Sequence, residues 1–142
     1  MIQTVSKFGE LKKHVSGSKM PFREAVVDYY RLLGGRLGFT FMENASVIKH
    51  GVNLGKVDLV WVEPNVAFYA EFSTMGELTK HLFKILELGS EWSVLILSSN
   101  SSCKPDDARK IVANSAAFEK IRDRVIILDL SKEKVVHPIR GS

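Results

Sequence analysis

One cysteine, Cys103, is the only thiol in this 142-residue sequence. A lone cysteine excludes an internal disulfide and offers no partner at metal-ligand spacing. Long hydrophobic runs are missing as well. The longest, VDLVWV and SVLIL, fall far short of the ~20 residues that a membrane span requires, so no membrane is expected among the partners. The opening MIQTVSKFGELKKH lacks an apolar h-region, which predicts no secretory signal and, with the single thiol, a reducing cytoplasmic setting. His14, His50, His81 and His137 are scattered without the paired spacing that zinc sites use. Neither a G-x-S-x-G elbow nor a P-loop occurs. Gly34-Gly35-Arg36-Leu37-Gly38 follows a helical segment instead of opening one, which excludes a dinucleotide fingerprint. Internal repeats and low-complexity segments are absent too.

What remains is an ordinary globular composition, 45% hydrophobic and 25% charged, at a length that suits one domain with a proper core. We read residues 1–142 as that single domain, with residues 1–18 a basic N-terminal helix and linker appended to a core of residues 20–130. Net charge is +4, and the whole excess lies in residues 1–36. There Lys7, Lys12, Lys13, Lys19, Arg23, Arg31 and Arg36 face Glu10, Glu24 and Asp28. A basic segment on a neutral body is the footprint of a phosphate backbone or, equally, a solvated helix face. Lys7, Lys12, Lys13 and Lys19 are the candidate nucleic-acid contacts.

Hydrophobic spacing predicts a short amphipathic helix over Ser6–Val15, where Phe8, Leu11 and Val15 form the stripe. A stronger helix is predicted over Met20–Leu33, opened by Pro21 and stopped by Gly34-Gly35. Three strands follow: 37–43 with a continuation through 46–50, 56–63, and 66–73. Their short connections, one of them at Pro64-Asn65, suggest an antiparallel meander. Thr74-Met75-Gly76-Glu77 fits a capping box for the next helix. SVLILSS (93–99) and VIILDL (125–130) read as buried strands, separated by a helix that opens at Pro105. The fold class is therefore α/β: a mixed sheet of about five strands, with a central antiparallel meander and helices on both faces.

Two acids interrupt the apolar strands. Asp58 lies within KVDLVWVE and Glu71 within VAFYAEFS. An unpaired carboxylate in such surroundings is costly, so each needs a partner or a task. A turn centred on Pro64-Asn65 pairs residues whose numbers sum to about 129, which sets Asp58 opposite Glu71. Two carboxylates so placed repel unless a cation lies between them, and hard oxygen donors suit Mg²⁺ or Mn²⁺. Ion pairs to Lys56 or Lys84 are the alternative.

This order of elements and acids resembles the PD-(D/E)XK (restriction-endonuclease-like) nuclease superfamily over about residues 20–100, with archaeal Holliday-junction resolvases the nearest pattern. The resemblance implies a restriction-endonuclease-like fold and a magnesium-dependent endonuclease acting on DNA, expected as a homodimer. It places Glu24 as the outer acid on the first core helix, Asp58 as the central metal ligand and Glu71 as the acid of the third motif. The family's pattern also carries a lysine two residues after that acid, where this sequence has Ser73. A neutral hydroxyl cannot supply the charge, which turns the expectation towards impaired catalysis. Lys80 and Lys84 lie four apart on the following helix, hence on one face, and the family sometimes relocates its lysine to that helix. The alternative expectation is a catalytically inactive module that keeps the fold to bind nucleic acid or protein.

Overall fold

The structure, a computed structural model, describes residues 1–138. Two short helices, α1 (Ile2–Val5) and α2 (Phe8–Ser16), precede α3 (Phe22–Arg36). Strands β1 (Phe41–Lys49), β2 (Val52–Trp61) and β3 (Val66–Ala70) follow, then α4 (Met75–Leu88), β4 (Trp92–Leu97) and α5 (Pro105–Asn114). Two single 3₁₀ turns lead into β5 (Val125–Asp129) and β6 (Lys134–His137). All six strands form one sheet in chain order. β1, β2 and β3 are antiparallel neighbours, β3–β4–β5 run parallel, and β6 returns antiparallel to β5. The sheet thus has six strands, where the sequence suggested about five. The extra one, β6, is short, and its KVVH carries too few apolar residues for a periodicity to show.

Alternation explains why the three parallel strands read as continuous apolar runs: both their faces are covered. Phe68, Ala70, Val94, Ile96, Ile126 and Leu128 pack on one side with Val26, Tyr29, Tyr30 and Leu33 of α3. Tyr69, Leu95, Leu97 and Ile127 pack on the other with Leu78, Leu82 and Ile85 of α4 and Val112 of α5. Each fully buried large side chain stabilises the fold by roughly 1.5–3 kcal/mol relative to exposure. Val5 and Leu11 join the α3 side, and the Tyr30 hydroxyl donates to the Val5 carbonyl at 2.7 Å. The N-terminal helices are therefore tied to α3 by burial and by hydrogen bonding.

Two local expectations are corrected. Helix α3 does not stop at Gly34-Gly35 but runs through both to Arg36. The reason is packing: Trp61 lies against Gly34, where an added Cβ would sit 2.3 Å from its Nε1. That indole N–H donates to the Tyr30 carbonyl at 3.0 Å. Gly34 makes room for a ring and does not end a helix. The β2–β3 register also differs, since Trp61 pairs with Val66 and Leu59 with Phe68. Pairs thus sum to 127, not 129, because the loop spans residues 62–65 and is centred ahead of Pro64-Asn65. On that register Asp58 falls opposite Tyr69, not Glu71. The cap of α4 matches the sequence, with Thr74 Oγ1 accepting the Glu77 N–H at 3.2 Å. Among the described residues, no helix is long and apolar enough to cross a membrane.

Candidate functional site: a cleft at the β2–β3 fork

The last β2–β3 pair is Leu59–Phe68, and beyond it the strands part. Asp58 sits at that fork, and its Oδ2 accepts the Ala70 N–H at 2.8 Å. The side chain thus does the work of the missing ladder partner. Glu71 follows directly, its backbone N–H bound to the Ile96 carbonyl at 3.1 Å. So although the register separates them, the two acids open onto one cleft of about 720 Å³, lined also by Arg23, Ser73, His81 and Lys84. That size is typical of ligand sites.

Every carboxylate oxygen of Asp58 and Glu71 has a partner. Asp58 Oδ1 accepts from the Arg23 guanidinium, whose Nε also donates to the Ala70 carbonyl at 3.2 Å. Glu71 Oε1 pairs with His81 Nε2 at 2.9 Å. Glu71 Oε2 accepts from the Ser73 hydroxyl and from the Ser73 N–H at 3.1 Å. Burial pushes the Glu71 carboxyl up, but the Ser73 and His81 contacts outweigh it and leave the group below its ordinary value. His81 is pushed down by burial first and by the Lys84 charge second, against the upward pull of Asp58 and Glu71.

Lys84 is the cation at the floor. Its residue is 5% exposed, and its Nζ donates to the Lys56 carbonyl at 2.7 Å. Burial lowers its pKa while Asp58 and Glu71 raise it. The chain gives it passage at Gly55, whose φ of +112° suits glycine and where a Cβ would meet Nζ at 3.4 Å. Lys80 lines the same cleft but points outward, 67% exposed and paired with Glu77 at 3.0 Å.

Of the residues singled out in the sequence, Asp58, Glu71, Lys80, Lys84 and Ser73 thus meet in one cleft. Glu24 does not join them. It is exposed and lines the neighbouring depression with Asp28, Arg31 and Glu43, which shares only Arg23, Asn44 and Asp58 with the cleft. Lys7, Lys12, Lys13 and Lys19 are exposed, and none lines the cleft. Two residues that the sequence reading passed over are central: Arg23 and His81. His81 was legible, because 77, 81 and 84 recur at three- and four-residue spacing on one helical face. Arg23 had no such signal beyond its place beside Glu24.

Two hard carboxylate donors with an imidazole beside them have the chemistry a divalent cation takes. Beside them His81, which lines the cleft, has its Nδ1 buried without a protein hydrogen-bond partner, so one polar atom there is left unsatisfied. Among the described residues no three His, Cys, Asp or Glu side chains are grouped as a ready metal site. Asp58 and Glu71 therefore fit a cation in kind, provided the side chains now on their oxygens give way. Comparison with protein-family models, curated proteins and solved structures gives no significant match.

Proposed function

We propose that this chain is a nuclease-like protein of restriction-endonuclease-like fold that acts on DNA at the β2–β3 cleft. One observation carries the reading: the buried ammonium of Lys84 shares a cleft with Asp58 and Glu71. It supplies from α4 the charge that Ser73 lacks. Mg²⁺ or Mn²⁺ held by Asp58 and Glu71 would supply a Lewis acid and an activated water for phosphodiester hydrolysis. The protein's own part is positioning and electrostatics. Lys84 offsets negative charge gathering on the scissile phosphate, in a site where water screens it weakly. Ser73 and His81 fix the Glu71 carboxylate from two sides. The proposal includes a homodimer in the cytoplasm. Exposed Met42, Ile48 and Val52 along the β1–β2 edge support the dimer, as apolar residues at a sheet edge invite pairing.

A second reading has its own support. Because all four carboxylate oxygens of Asp58 and Glu71 are satisfied by protein donors, the chain also suits a module that binds nucleic acid without cutting it. Incubation with duplex, branched and single-stranded DNA in Mg²⁺ or Mn²⁺ separates the two. The first reading expects cleavage that Lys84→Met reduces about as much as Glu71→Gln. Binding without cleavage selects the second, and loss of both binding and cleavage in wild type removes both.

A further inference from the structure

Arg23 differs from every other partner of the two acids. Ser73 is fixed by its neighbour in the chain, His81 is buried, and the Ala70 N–H belongs to the sheet. The Arg23 side chain is 46% exposed, and it reaches Asp58 from the first turn of α3. It borders both the cleft and the neighbouring depression, so it has open space on its outer side to turn into. Its two contacts, to Asp58 and to the Ala70 carbonyl, both lie at the mouth where the strands part. Lys84 has no such freedom, since its Nζ is held at the floor on the Lys56 carbonyl.

A guanidinium and a divalent cation on the same carboxylate carry like charges that repel at that range, so they compete for Asp58. We propose that Arg23 has two alternative partners: Asp58 when no cation is bound, and a phosphate of the nucleic acid when one is. The planar fork that pairs with Asp58 matches two phosphate oxygens equally well. The released side chain stays at the mouth of the cleft, beside the phosphate that Lys84 meets from below. This rests on the reading of the cleft as a metal-dependent phosphodiester site and adds a linkage to it. Arg23 opposes cation binding in the free protein and favours nucleic acid in the loaded one.

The linkage has a signature that a structural role lacks, because one substitution should move two affinities in opposite directions. Mn²⁺ binding is measured by titration calorimetry on the full chain as wild type, Arg23→Gln and Arg23→Lys. DNA binding is measured by fluorescence anisotropy in Ca²⁺, which occupies oxygen sites, over a range of salt. Arg23→Gln should bind Mn²⁺ about tenfold tighter, as a competing charge on the order of one pKa unit in strength is removed. It should bind DNA more weakly, with the salt slope reduced by about one for the lost phosphate contact. Arg23→Lys keeps a charge but not the fork, and should fall between the two on both measurements. Weaker Mn²⁺ binding by Arg23→Gln, or affinities that both stay unchanged or both fall, overturns the proposal while leaving the cleft's function standing. A wild type that binds neither Mn²⁺ nor DNA overturns both.

Discussion

The sheet buries carboxylates at two places, and their partners are of different kinds. At the end of β5, Asp129 is 2% exposed, and its Oδ1 accepts from the backbone N–H groups of Ser99, Ser131 and Lys132 at 3.0, 3.0 and 3.4 Å. Those donors are part of the chain path and cannot leave without unmaking the turns. At the β2–β3 fork, Asp58 and Glu71 are nearly as buried, but three of their partners are side chains of Arg23, Ser73 and His81. Side chains can exchange. A buried acid held by backbone alone clamps a structure, whereas Asp58 is held in part by a half-exposed arginine side chain that can be exchanged. The acids are similarly buried in both places; the donors tell them apart.

The largest expected effect is on the structural side. Asp129→Ala strands three backbone donors and should cost about 3 kcal/mol, a fall of roughly 10 °C in Tm, while leaving any Mn²⁺ response intact. Asp58→Asn should cost at most about 1 kcal/mol, because the amide oxygen still accepts the Ala70 N–H and Arg23 is exposed enough to be hydrated. It should nonetheless abolish Mn²⁺ binding by calorimetry. Equal stability losses in the two variants would erase the distinction.

Acid titration sharpens the comparison next. The unfolded chain takes a proton on histidine near its ordinary value of 6.5, whereas folded His81 resists because burial and Lys84 lower its pKa. Stability should therefore decline as pH falls below that value, until the folded pKa is passed. Glu71 acts in a lower window. Its contribution is present above the ordinary 4.5 and is lost as pH falls through its lowered folded value. His81→Gln should flatten the upper decline in urea melts across pH. An unchanged slope would place the histidine's titration elsewhere. The smallest effect is expected at Lys80→Ala, within about 0.5 kcal/mol, because its Glu77 pair is exposed. Nucleic-acid binding should also change little there, in contrast with Lys84→Met.

Much of this was legible in the sequence. The doubly covered strands β4 and β5 announced themselves as apolar runs, and Thr74 and Pro105 marked helix starts. Asp58 and Glu71 stood out because ionised groups rarely sit among Phe, Tyr and Trp. What was hidden depends on contacts distant in the chain. Gly34 reads as a stop until Trp61, 27 residues on, is seen lying against it. The register turned on where a four-residue loop is centred, which Pro64-Asn65 alone does not fix. Arg23 reaches Asp58 across 35 positions, a contact with no local pattern. Ser73 read as a missing lysine, and the structure gives it a task of its own on Glu71.

The central claim, that the two acids at the β2–β3 fork are poised for a divalent cation, is tested most directly by thermal shift in Mn²⁺. Wild type should melt higher in Mn²⁺, by about 2.7 kcal/mol of added stability at a hundredfold excess over Kd. The Asp58→Asn/Glu71→Gln double variant should show no shift, and Asp129→Ala should keep it. A shift of wild-type size in the double variant, or none in wild type, contradicts the account.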